Sequence, residues 1–293
     1  MSPHAWRFAV AALIGAVLSA TPVASHERFL EANGARIYYE VEGRGAPLVL
    51  IHGWSLNLRM WDLQVRDLAD EFQVIRLDLR GFGRSSGAED STWDPEDLRA
   101  LLDELGVKRC HLLGMSRGAR IALTFALAFP DRVSSLILHG APAPEGFGLP
   151  FTGPDRLPNA ELQALARTQG LDAARRAWAA HPLMEIPPGR QQARKRLLEL
   201  LAAYRGGRWV SPVEPSGPAK LVSMADLSRV RVPTLILVGE SEVPYLRIVA
   251  EALTYGIAGA RRIVIPGGGH MVNMVEPQRY NRAVLAFLRS VGS

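Results

Sequence analysis

The stretch "GMSRG", residues 114–118, places Ser116 between two glycines where an apolar run gives way to an apolar helical pattern. This is the G-x-S-x-G spacing of a nucleophile elbow, a tight turn that lifts a serine hydroxyl off the edge of a sheet. Glycine suits such a turn because it brings no side chain beside it. The chemistry is nucleophilic. A serine hydroxyl attacks an electrophilic carbon only when a neighbouring base takes its proton, and donors must meet the charge that develops on oxygen. Five residues alone mean little, so the rest of the chain has to supply the base, the acid that orients it and those donors.

The elements around Ser116 alternate. "RIYYEVEG" reads as an early antiparallel strand, and "PLVLIHGW" and "FQVIRLDLRG" as strands buried on both faces. Helical spacing lies between the last two, in "LNLRMWDLQVRDLADE". "DPEDLRALLDELG" has an acidic start, proline in its first turn and a glycine stop, which are helix boundary signals. "RCHLLGMS" then runs as a strand into the elbow, followed by the helix "RGARIALTFALAFP" and the strand "VSSLILHGAP". The rhythm breaks over residues 145–229, where proline and glycine crowd the loops. Helical patches there include "QQARKRLLELLAAYRGG", with Leu197, Leu200, Leu201 and Tyr204 on one face. It resumes with the strand "VPTLILVGE", a helix around Leu246 to Leu253, the strand "RRIVIPGGG" and a last amphipathic helix.

Alternation of this kind predicts an α/β fold: a mainly parallel central sheet, helices on both faces, and a helical cap inserted over the strand ends. The expected organisation is a signal peptide over residues 1–25, core over 26–144, cap over 145–229 and core again over 230–293. Ligands of such sheets bind beyond the carboxyl ends of the strands. Ser116, the Glu240–Glu242 segment and His270 all follow strands there.

The chain has 293 residues, 48% hydrophobic and 22% charged, an ordinary globular composition. Its formal charge is +5, but the arginines are scattered among acids. The densest basic run, "GRQQARKR", reads as a solvated helix face, and no nucleic-acid partner is expected. The single cysteine, Cys110, cannot form an internal disulfide and reads as a buried thiol. No phosphate loop, dinucleotide fingerprint or metal-ligand cluster is apparent, so neither cofactor nor metal is expected. The N-terminus has a basic head (His4, Arg7), an apolar stretch over residues 8–20, a breaker at Pro22 and small residues to Ser25. That order is a secretory signal and predicts an exported, periplasmic or secreted protein with no stable membrane insertion after cleavage. An uncleaved anchor is the alternative, although the run is short of the roughly 20 residues a span needs.

Four motifs in order, "HGW", "DLRGFGRS", "GMSRG" and "GGGHMVNMVEP", resemble those of the α/β-hydrolase superfamily. The likeness is to its capped serine hydrolases: bacterial esterases, enol-lactonases and cofactor-free haloperoxidases. It spans residues 29–288. The resemblance implies Ser116 as nucleophile and His270 as general base. Glu242 falls in the place of the acid, where the family usually has aspartate in a G-E-x-D segment and this chain has Gly239-Glu240-Ser241-Glu242. Glu240 and, more distantly, Glu145 are the alternatives. The implied oxyanion donors are the backbone N–H groups of Trp54 and Arg117, with His52 and Gly53 holding the loop. The Arg117 side chain is open to two readings, a contact for a substrate carboxylate or a salt bridge at the surface. "SRGAR" also resembles the "DRGAR" of dehalogenases and epoxide hydrolases, but serine at the nucleophile position points to acyl transfer. The expected reaction is hydrolysis of a small carboxylic ester or lactone. A non-catalytic binding protein on the same fold is the alternative of another class, and perhydrolysis or C–C hydrolysis by the same triad is a variant within the first. Neither substrate identity nor oligomeric state follows from the sequence.

Overall fold

Leu48, Val49, Leu50 and Ile51 are buried in succession, without the alternation of a strand that faces water. They form β3 (Ala46–Ile51) of an eight-stranded sheet in the computed structural model, which describes residues 28–292. The expected signal segment lies outside the described residues. β1 (Arg28–Ala32) and β2 (Ala35–Glu42) enter as an antiparallel pair, and β2 joins β4 (Phe72–Leu77) antiparallel. The remaining neighbours are parallel, in the order β1-β2-β4-β3-β5-β6-β7-β8, with β5 (Cys110–Met115), β6 (Val133–His139), β7 (Thr234–Gly239) and β8 (Arg261–Ile265).

The register brings the strand ends level. Ile51 pairs with Leu77 and Gly114, Met115 with His139, and Gly239 with Ile265. Residues that follow these strands therefore emerge along one edge. Helices cover both faces: α1 (Asp62–Leu68), α2 (Asp94–Glu104) and α3 (Arg117–Ala128) in the first half, then α8 (Pro244–Gly256), α9 (Val272–Val275) and α10 (Pro277–Val291) in the second. α2 packs on α3, and α1 on α10.

Between β6 and β7 the chain leaves the sheet for α4 (Asn159–Gln169), α5 (Leu171–Ala179), α6 (Gln191–Ala203) and α7 (Gly207–Val210). Ala193, Leu197, Leu200 and Leu201 are the buried face of α6; Tyr204, just past its end, is buried as well. Arginines tether this insertion to the core: Arg196 to Asp62 at 2.9 Å, and Arg190 to Glu276. Cys110 is free and buried, and burial pushes its thiol up to about 12. No helix among the described residues is long and apolar enough to cross a membrane.

Candidate active site

Ser116 turns the chain from β5 into α3 in a single residue, with φ 54° and ψ −116°. Its N–H continues the sheet by donating to the His139 carbonyl at 2.7 Å, and its own carbonyl accepts from Ala119 and Arg120, at 2.9 and 3.1 Å, to start the helix. A non-glycine residue at positive φ is a strained arrangement that persists only where its surroundings hold it. Glycine at 118 is obligatory for the same fit, since a β-carbon there would lie 2.1 Å from the Ile51 carbonyl oxygen. α3 can approach the sheet this closely only without that carbon.

Glu242 and His270 arrive from two other strands. After β7 the Glu242 N–H closes a turn onto Gly239 O at 3.1 Å, and the Ser241 N–H bonds Gly268 O at 3.0 Å, locking the two loops together. His270 Nδ1 then donates to Glu242 Oε2 at 2.8 Å, while Glu242 Oε1 accepts from the Val243 N–H at 3.0 Å. Both side chains are almost wholly buried. With Nδ1 carrying the proton, Nε2 of His270 is the basic nitrogen. Gly140, at φ +55°, makes room for the pair: a β-carbon there would sit 2.6 Å from His270 Cε1 and 3.3 Å from Glu242 Oε2.

The other two acidic candidates go elsewhere. Glu240 is exposed, and its Oε2 accepts from Gly267 N–H at 3.2 Å. Glu145 is exposed and bonds through its backbone to Val222 and Met224. His139, buried behind His270 with ring centroids 6.2 Å apart, is driven down to about 3, by burial first and then by the neighbouring imidazole. It remains neutral.

His52 has both ring nitrogens engaged: Nδ1–H donates to Gly53 O at 2.8 Å and Nε2 accepts the Leu79 N–H at 2.9 Å. Burial lowers it to about 3, so it is a neutral brace between two loops. The Trp54 N–H that follows makes no hydrogen bond among the described residues. The Arg117 N–H is in the first turn of α3, where no intrahelical carbonyl takes it. Ser55, also at positive φ, donates to Trp54 O at 2.6 Å and accepts Trp178 Nε1 of the insertion at 2.7 Å. The Trp54 ring lies against Trp178 and Trp209, with centroids 5.3 and 5.6 Å apart.

The Arg117 side chain follows neither sequence reading. It is buried, and its Nη2 and Nε bond Asp94 Oδ2 at 2.8 and 3.2 Å, so the ion pair is internal and not at the surface. Asp94, Gly140 and Trp178 escaped the sequence reading because each meets its partner 23 or more positions away. Arg120 carried a local signal that was passed over, one helical turn after Ser116.

Ser116 and His270 line one cavity of about 240 Å³, together with Trp54, Met115, Arg117 and Arg120 from the core and Asn159, Trp178 and Arg208 from the insertion. Among the described residues no cluster of His, Cys, Asp and Glu is arranged to hold a metal ion. A hydroxyl on a strained turn, a buried carboxylate–imidazole pair and a helix N-terminus around one cavity are the parts that acyl transfer uses.

The chain belongs to the alpha/beta hydrolase fold family, which matches residues 46–277. Its relatives include the pimeloyl-[acyl-carrier protein] methyl ester esterase of Pectobacterium carotovorum, 28% identical over 265 residues, which cover 87% of this chain and 100% of that one. Among solved structures, an esterase from a Rhodococcus species superposes with a TM-score of 0.76 at 25% identity, over 92% of this chain and 100% of the other. A structure described as an N-acyl homoserine lactone degrading enzyme gives a TM-score of 0.71 at 26% identity, over 89% of this chain and 100% of the other.

Proposed function

We propose that this ester-bond hydrolase works through an acyl-enzyme on Ser116 and acts on a small carboxylic ester or lactone. The observation that carries the reading is the buried Glu242–His270 hydrogen bond, at 2.8 Å, beside a cavity that Ser116 also lines. His270 Nε2 takes the Ser116 proton as Oγ attacks the acyl carbon, then returns it to the departing alkoxide. Water repeats the sequence on the acyl-enzyme, releasing the acid and restoring the hydroxyl. Glu242 holds the imidazole in the tautomer that leaves Nε2 free and stabilises the imidazolium that forms. The N–H groups of Trp54 and Arg117 receive the oxyanion, a role in which a single donor can be worth about 10²–10³ in rate.

Residues 145–229 act as a cap that closes the cavity with Trp178, Asn159 and Arg208. Its volume, about 240 Å³, is below the roughly 300–1,000 Å³ of pockets for drug-sized ligands and favours a small substrate. The N-terminal segment is read as an export signal, which N-terminal sequencing of the exported protein checks.

The test is labelling with a fluorophosphonate probe together with turnover of p-nitrophenyl acetate. Wild-type protein is expected to label stoichiometrically and turn over, and Ser116→Ala to do neither. Absence of both from folded wild-type protein overturns the mechanism and leaves the binding-protein reading. Ligand-induced thermal stabilisation without product would support that reading.

A further inference from the structure

The cavity wall carries one cation more than its partners neutralise. Arg117 is held by Asp94 at 2.8 Å. Arg208, from α7, donates to the Glu89 carbonyl at 3.4 Å and is within electrostatic reach of the Glu89 carboxylate. Arg120 lines the same cavity, and among the described residues its guanidinium has neither a hydrogen bond nor an ion pair. It is part-buried. A guanidinium carries five N–H donors in a planar fork matched to an oxyanion, and withdrawing it from water with no partner is costly. The strain is electrostatic too. Burial first, and then the charge of Arg117, bring its pKa down to about 10, with Asp94 opposing and Arg208 adding to the effect. At neutral pH Arg120 is still a cation, repelled by two others.

Its place on the helix gives that charge a purpose. Ser116 is the N-cap of α3 and Arg120 lies in the first turn beyond it, its N–H donating to the Ser116 carbonyl at 3.1 Å. Helical side chains lean toward the N-terminus, which carries the guanidinium back toward the nucleophile. Ser116 and Arg120 line the one cavity, so a single molecule can present its carbonyl to the hydroxyl and an anion to the guanidinium.

We infer that Arg120 is a specificity-determining residue that pairs with a carboxylate on the substrate, making the preferred substrate a monoanion: a half-ester of a dicarboxylic acid, or a lactone bearing a carboxylate. A monoanion is specified because one cation is left over; a phosphate monoester would bring close to two charges. This deepens the proposed function and rests on it.

The experiment compares monomethyl adipate with methyl adipamate, its uncharged amide isostere, following methanol release for wild type and Arg120→Met. Methionine keeps an unbranched stem of similar reach and removes the charge. Wild type is expected to favour the carboxylate in kcat/KM by about ten- to hundredfold, as a hydrogen bond between charged groups would give. In Arg120→Met the ratio collapses toward one. A wild-type ratio of one or below, or a ratio that survives the substitution, overturns the inference. Calorimetric binding of the same two esters to Ser116→Ala and to Ser116→Ala/Arg120→Met reads the site without turnover. Anion preference there, with no labelling or turnover in wild type, sinks the acyl-enzyme and keeps the anion site. Equal affinity for the two esters, or no binding of either, sinks the anion site whatever the labelling shows.

Discussion

Replacing Glu242 by glutamine changes one heavy atom and tests the whole electrostatic arrangement. Both carboxylate oxygens are in use, Oε2 accepting from His270 Nδ1 at 2.8 Å and Oε1 from the Val243 N–H at 3.0 Å. Glutamine offers one acceptor and one donor. If its carbonyl faces His270, its NH₂ confronts the Val243 N–H, and two buried donors without an acceptor cost about 1–3 kcal/mol each. The amide therefore turns its NH₂ to His270, where it can bond only to an unprotonated Nδ1. The imidazole proton moves to Nε2, the nitrogen that should receive the serine proton. The same exchange in a serine protease triad lowers kcat by about 10⁴, equivalent to about 5.4 kcal/mol of barrier at roughly 1.36 kcal/mol per decade. Glu242→Gln is expected to lose about 10³–10⁴ in kcat on p-nitrophenyl acetate, measured over a Ser116→Ala background, with its circular dichroism unchanged. Glu240→Gln, exposed and holding one N–H, should stay within about twofold. Retention of more than a tenth of wild-type kcat in folded Glu242→Gln would refute the reasoning.

Three further outcomes follow from particular residues. Gly140→Ala puts a β-carbon 2.6 Å from His270 Cε1 and should cost about 100-fold in kcat, as a misplacement near 1 Å does; Gly148→Ala, also at positive φ but with open space around it, should keep activity. The elbow strain at Ser116 predicts that Ser116→Gly melts higher than Ser116→Ala, by about 2 °C for each kcal/mol released. Equal melting temperatures would mean that no strain is stored there. Acidification is the third case. His52 and His139, held near 3 against an ordinary 6.5, refuse protons that the unfolded chain takes up, so stability present above pH 6.5 is lost as the pH falls toward 3. Asp78, raised by burial from 3.8 to about 6, works the opposite way over that narrower window. These three alone give a net loss of about 1.4 kcal/mol per pH unit between pH 6 and 4; His111 and His181, also lowered by burial, add to it, and Glu89 and Asp97, raised by burial, oppose it. Urea midpoints at pH 7, 6, 5 and 4 would show it, and a flat series would contradict it.

The fold was legible because the sheet writes itself locally. Runs such as Leu48 to Ile51 need burial on both faces, and each strand is closed by a turn signal in the chain itself. The strand β1 was missed because its five residues neither alternate nor run apolar. In the candidate site, a self-contained motif such as that around Ser116 can be read locally, whereas a position whose geometry depends on a second loop cannot. Nothing local separates Glu240 from Glu242. The difference is made by the interlock of Ser241 with Gly268, which turns one carboxylate inward and leaves the other in water. Arg117 resisted a sequence reading for the same reason, since its partner Asp94 comes from the start of α2. Gly140 looked like the end of a strand, and its need for a missing side chain comes from a histidine 130 positions on.

The indole of Trp178 reaches down from α5 to the hydroxyl of Ser55, which is itself bonded to the Trp54 carbonyl. The insertion and the Trp54 peptide are thus one mechanical unit. A chimaera whose borrowed insertion had no indole at this place would arrive without that strut. Turnover would suffer along with selectivity, and a designer of new specificities would do better to repaint the inner wall of this lid than to exchange it.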